Sequence, residues 1–143
     1  MYCDTGGFRK ELKDLEQQGR IILVMFPYEN INRKIPGLGL PSQATLGDLK
    51  NFTLETLPGA LEDYKGSEKC PAIERVVGRE NRVDILHLDS AFKSQCSSFL
   101  TRDKNDILFN KAFLEELLGM RIFHSDEGWG EFLTSLAKEQ NNK

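Results

Sequence analysis

Apolar positions along the chain follow two patterns. Short continuous runs at residues 1–3, 21–26 (Ile-Ile-Leu-Val-Met-Phe), Ser98–Thr101 and Arg121–His124 predict strands. The unbroken run at 21–26 is what a parallel strand buried on both faces requires. Stripes at helical spacing fill the gaps between these runs. Phe8, Leu12 and Leu15 share one face, and Leu54, Leu57, Leu61 and Tyr64 share another that Pro58-Gly59 interrupts. A helix over 83–95 precedes the third strand. Phe113, Leu114 and Leu117 form a stripe that Gly119 ends, and Trp129, Phe132, Leu133 and Leu136 form the last. Each stripe is expected to pack in the core. Thr45 and Asp48 have the spacing of a capping box, 34–43 is a loop rich in Gly and Pro, and the tail from Lys138 is expected to fray.

Strands that alternate with helices imply a parallel sheet covered on both faces. The expected fold class is therefore α/β, a three-layer α/β/α arrangement around a central parallel sheet. Its 143 residues suit one domain, 1–143, with one core. A content of 39% hydrophobic and 29% charged residues is that of an ordinary globular chain. No apolar run approaches the roughly 20 residues that span a bilayer, and the first residues lack a signal-peptide pattern. An intracellular, cytoplasmic protein without membrane partners is expected. Cys3, Cys70 and Cys96 are scattered, with no CxxC spacing, so reduced structural thiols are expected. The net charge of −3 excludes a protein that coats nucleic acid by bulk electrostatics. It leaves room for one that holds cations on carboxylates, because those carboxylates count against the total and the metal reverses them locally.

In parallel sheets, ligands bind beyond the carboxyl ends of the strands. Asp4 directly follows the first predicted strand, Glu29 lies three residues after the second, and Asp103 lies two residues after the third. Asp84 opens the helix that feeds the third strand, so a short connection returns that helix start to the same edge. Four carboxylates pressed together repel one another unless cations neutralise them. Hard cations such as Mg²⁺ or Mn²⁺ prefer oxygen ligands of this type, and such a centre can hydrolyse a phosphodiester without a histidine or cysteine nucleophile.

The stretch Asp84-Ile-Leu-His-Leu-Asp-Ser-Ala, followed by Phe99-Leu-Thr-Arg-Asp-Lys, resembles the C-terminal half of PIN domains. Those domains carry Asp-x-x-His/Leu-x-x-x-Ala on a helix and then a strand ending in Thr-x-Asp. Tyr2-Cys3-Asp4-Thr5 is similar to their first strand with its catalytic aspartate, and Tyr28-Glu29 to their second acidic position. Leu117-Leu118-Gly119-Met120-Arg121-Ile122 looks like their closing helix–Gly–strand. The resemblance implies a PIN-like nuclease fold in which Asp4, Glu29, Asp84 and Asp103 bind Mg²⁺ or Mn²⁺ and act in catalysis. Thr101 would orient the site by hydrogen bonding. Family likeness further implies an RNA substrate, a ribonuclease activity, a homodimer and, for members that are toxins of bacterial toxin–antitoxin pairs, an antitoxin partner. Gly6-Gly7 departs from the Asn or Ser and apolar residues that many members carry there.

Other residues have plainer expectations. Asp89 or Asp106 could join the acidic site, but a surface place is expected for each; His87 is expected in helix packing rather than beside the site, and His124 in a surface loop. Arg9, Lys10, Arg33, Lys34, Arg102 and Lys104 accompany the acids and either guide phosphates or stay solvated. Phe8, Tyr28 and Phe109 are candidate stacking surfaces for bases. The competing class of function is a PIN-like binding module, for nucleic acid or protein, with little or no catalysis. A phosphoryl-transfer domain with phosphorylated Asp4 ranks last, since no lysine falls where that chemistry needs one.

Overall fold

The computed structural model describes residues 1–25 and 66–141. Glu29, Tyr28, the loop at 34–43, the Thr45–Asp48 box and the stripe from Leu54 to Tyr64 lie outside the described residues. The described chain is mixed α/β, with a three-stranded parallel sheet and five helices. Its strands are β1 (Tyr2–Cys3), β2 (Ser98–Thr101) and β3 (Arg121–His124). The helices are α1 (Glu11–Gln17), α2 (Cys70–Val77), α3 (Arg82–Lys93), α4 (Lys111–Leu118) and α5 (Trp129–Asn141). Among the described residues, no helix is long and apolar enough to cross a membrane.

The sheet order is β1-β2-β3, with Tyr2 opposite Phe99 and Ser98 opposite Arg121. Successive strand residues point to opposite faces, and the core divides accordingly. Tyr2, Phe99 and Ile122 join one apolar cluster with Ile73, Val77, Ile85, Leu88, Leu114 and Leu118, from α2, α3 and α4. Cys3, Leu100 and Phe123 join a second with Leu12, Leu15, Phe132 and Leu136, from α1 and α5. Burial on both faces accounts for the consecutive apolar residues at the strand centres, Tyr2-Cys3, Phe99-Leu100 and Ile122-Phe123.

The run at 21–26 behaves differently from its expectation. Among its described residues only Val24 forms a bridge, parallel to Tyr2, with hydrogen bonds from Cys3 N to Val24 O (3.1 Å) and from Val24 N to Met1 O (2.9 Å). Ile22 is 68% exposed, so the segment is not covered on both faces. In α4, burial falls on Leu114 and Leu118, and Phe113 points outward at 71% exposure. Gly119 closes that helix in the left-handed region (φ 66°), as the pattern predicts. The last helix continues to Asn141, through the segment expected to fray. Helix α3 starts and stops earlier than expected, and Gln95 in the link that follows has φ 57°.

The short link at 94–97 makes α3 run back against β2 before the chain enters the strand. The N-terminal end of α3, with Asp84, therefore returns to the sheet edge where β2 ends.

Candidate metal centre

Asp4 leaves the carboxyl end of β1 and stays in the parallel ladder, with its N–H donating to Leu100 O at 3.2 Å. Its side chain is buried. Thr101, the last residue of β2 and fully buried, donates its hydroxyl to Asp4 Oδ2 at 2.6 Å. The same hydroxyl oxygen accepts from Asp103 N at 3.0 Å. One threonine thus ties the carboxylate after β1 to the backbone that carries the carboxylate after β2.

The glycines after Asp4 form a single 3₁₀ turn, Thr5–Gly7. A Cβ at Gly7 would lie 2.6 Å from Leu100 O and 2.9 Å from Asp4 Oδ1. Backbone oxygen cannot retreat as a flexible side chain can, so position 7 requires glycine. The Gly6-Gly7 departure therefore gives the turn its close approach to Asp4.

Asp103 closes the next turn. Its Oδ1 accepts from the N–H groups of Asn105 (3.0 Å) and Asp106 (2.9 Å), a local cap of the kind short acidic side chains make. This turn carries Asp106 to the site. Among the described residues, Asp84, Asp103 and Asp106 each place one carboxylate oxygen within 4.8 Å of the others. All three are half-buried.

The crowding has an electrostatic consequence. The Asp84 carboxyl is pushed up from its ordinary 3.8 to about 7. Desolvation is the largest cause, followed by the charge of Asp103, a hydrogen bond shared with Asp103, and the charges of Asp106 and Asp4. Asp4 is thus felt at Asp84, although it stands outside the three-carboxylate group.

Of the four acids expected to converge, Asp84 and Asp103 come together, Asp4 stands beside them, and Glu29 lies outside the described residues. Asp106, expected at the surface, completes the group instead. A signal for it existed in the sequence: Asp-x-x-Asp at a strand exit is the spacing at which the first carboxylate caps the amide of the second. Asp89 is not a surface residue either. It is fully buried on α3 and accepts from Ser67 N (3.0 Å) and the Ser67 hydroxyl, anchoring the segment that enters α2.

The donor set fits a hard cation. Octahedral Mg²⁺ with bonds of about 2.1 Å places opposite oxygens about 4.2 Å apart. Adjacent ligands of such an ion lie only about 3.0 Å apart, so the three carboxylates, within 4.8 Å of one another, would close in around it.

His87 is buried on α3, with Nδ1 2.7 Å from the Tyr2 hydroxyl, so it joins helix to strand inside the core. His124 ends β3 and accepts at Nδ1 from the N–H groups of Asp126 and Glu127, both at 3.0 Å. Arg33 and Lys34 lie outside the described residues, while Arg102, Lys104 and Arg9 are engaged with protein groups. Arg102 binds Asp126, Gly6 O and Phe8 O, Lys104 pairs with Glu127, and Arg9 binds Ser125 O and Glu11 while covering the Trp129 ring at 4.4 Å.

No family model, curated protein or solved structure matches this chain.

Proposed function

We propose that the chain is a PIN-like nuclease that uses Mg²⁺ or Mn²⁺ to hydrolyse phosphodiester bonds, with RNA as substrate. The observation that carries this reading is the approach of Asp84, Asp103 and Asp106 to within 4.8 Å at the rim where the parallel strands end. Asp4 beside them and Thr101 between Asp4 and Asp103 add to it. The apolar clusters on the two sheet faces support a three-layer α/β/α arrangement, which is the fold the resemblance implies.

In this reading Asp84, Asp103 and Asp106 hold the cation, with Asp4 as a further ligand or as a base for a water in its coordination sphere. When bound, the cation would lower the pKa of a coordinated water and neutralise charge on the phosphoryl oxygens. The protein's own part is geometric. Thr101 donates to the Asp4 carboxylate, and the Asp103 cap closes the turn that carries Asp106. Glu29 is retained as a fourth acid to be tested by substitution. Toxin activity, an antitoxin partner and homodimer formation remain consequences of the resemblance alone.

The test is cleavage of single-stranded RNA by the full chain with added Mn²⁺, compared with Asp4→Asn, Asp84→Asn and Asp103→Asn. Loss of cleavage in these variants, with folding retained, supports the reading. Equal cleavage by all four proteins would sink it. A binding module without catalysis is favoured by one observation: Asp103 Oδ1 already serves two backbone amides, so the carboxylate has a folding role without any metal. That alternative predicts intact RNA and no saturable Mn²⁺ binding.

A further inference from the structure

We infer that Arg102 is a positioning residue, one whose guanidinium clasps the segment following Asp4 and so holds the Asp4 carboxylate in place beside Asp84, Asp103 and Asp106. The inference rests on the metal-centre reading above. Arg102 leaves β2 between Thr101 and Asp103. Its Nη1 donates to Gly6 O at 2.6 Å and to Phe8 O at 3.2 Å. Its Nε and Nη2 donate to the two oxygens of Asp126 at 2.8 and 3.1 Å. One side chain from the exit of β2 therefore binds the segments leaving both β1 and β3.

The remaining carbonyl of the segment is also held. Ser125 donates its hydroxyl to Gly7 O at 2.6 Å, and Arg9 Nη1 donates to Ser125 O at 2.9 Å. Three successive carbonyls, those of Gly6, Gly7 and Phe8, are thus bound by side chains from β2 and β3 exits. Because a Cβ at Gly7 would meet Asp4 Oδ1 at 2.9 Å, this segment lies directly against the carboxylate, and moving the segment moves Asp4.

As an ion pair, Arg102–Asp126 contributes little to stability, since the side chains are 38% and 56% exposed. Its contribution is directional. The two-pronged bond to Asp126 fixes the plane of the guanidinium, and that plane aims Nη1 at the two carbonyls. Lysine would keep the charge but could not supply this planar fork.

The experiment titrates the full chain with Mn²⁺ by calorimetry and records the metal-free melting temperature for each protein. It compares the native chain with Arg102→Lys, Asp126→Asn and the control Leu136→Val, a core truncation on the α5 side. Arg102→Lys and Asp126→Asn are expected to weaken Mn²⁺ binding about tenfold, as loss of an outer-shell partner does, while Leu136→Val lowers the melting temperature and leaves affinity unchanged. Equal affinity in all four proteins overturns the inference. So does a similar loss in Leu136→Val, which would trace the effect to general destabilisation. A raised KM for RNA with unchanged Mn²⁺ affinity in Arg102→Lys overturns it too, by assigning Arg102 to substrate phosphate. Absence of saturable Mn²⁺ binding by the native chain removes the metal-centre reading itself, and the clasp with it.

Discussion

Two aspartates at the same rim have opposite local chemistry. Asp4 is built into the fold: its side chain is buried, its backbone stays in the ladder, and Thr101 donates to its carboxylate at 2.6 Å. Asp84 is crowded instead. Burial and the charges of Asp103, Asp106 and Asp4 push its carboxyl up to about 7. A fixed donor holds a carboxylate in place. One among like charges calls for neutralisation, and a proton or a cation can supply it. The difference teaches where a cation would act: at the Asp84 side of the rim, in competition with the proton that Asp84 otherwise takes up.

The sharpest way to break this comparison is to remove the crowding carboxylates themselves. Asp84→Asn and Asp103→Asn should each reduce Mn²⁺ affinity by at least about 100-fold, beyond the range seen for outer-shell changes. Calorimetry checks this directly. The metal-free protein should respond differently, because Asp84→Asn removes a charge that repels its neighbours. Its melting temperature above pH 7 is therefore expected to stay level or rise. A fall in stability that matches the fall in affinity would show that Asp84 serves folding rather than metal binding.

The same contrast governs what the sequence made legible. Strand ends were readable because a buried parallel strand is apolar throughout and stops abruptly at a polar residue, as Phe99-Leu100-Thr101 stops at Arg102-Asp103. Asp4, Asp84 and Asp103 followed from those ends and one short connection. Asp106 was ranked below the other acids because its place depends on a turn that Asp103 closes with its own side chain, which no periodicity reports. Asp89 was hidden because its partner, Ser67, is distant in sequence. Helix α2 escaped notice although Cys70, Ile73 and Val77 are buried on one face. Pro71 sits in its first turn, where a missing N–H is tolerated. Phe113 and Leu114 show the limit of a stripe: of these neighbours α4 turns the leucine inward and leaves the phenylalanine exposed.

A second test acts at the Asp4 side. Gly7→Ala would push a methyl to within 2.6 Å of Leu100 O and 2.9 Å of Asp4 Oδ1. Relief requires backbone movement in the Thr5–Gly7 turn, and overpacking of this kind costs about 1–3 kcal/mol. Chemical denaturation should show that loss without added metal. Gly6→Ala is the matched control, since its Cβ would meet nothing closer than Asp4 Oδ1 at 3.9 Å. Equal effects of the two substitutions would mean that the close approach at Gly7 is not what holds the turn.

The smallest effect expected is also the one that ranks the charges. Because the folded-state pKa of Asp84 is raised, the native protein retains a proton that the unfolded chain releases near 3.8. Stability contributed by that proton is complete below pH 3.8 and is lost as pH rises through about 7. Without metal, the stability difference between the native chain and Asp84→Asn should therefore shift in favour of the asparagine across that window and level off above it. Mg²⁺ should reverse the trend at the upper end, where it no longer competes with protons. Carboxyl NMR of Asp84 resolves the causes. Its midpoint should fall most in Asp103→Asn, which removes a charge and replaces a carboxylate acceptor by a weaker neutral one, less in Asp106→Asn, and least in Asp4→Asn. The last substitution keeps a side-chain oxygen for the Thr101 hydroxyl, so it removes the Asp4 charge while preserving that contact. A midpoint that falls as far in Asp4→Asn as in Asp103→Asn would merge the two sides of the rim into one electrostatic unit and end the distinction between them.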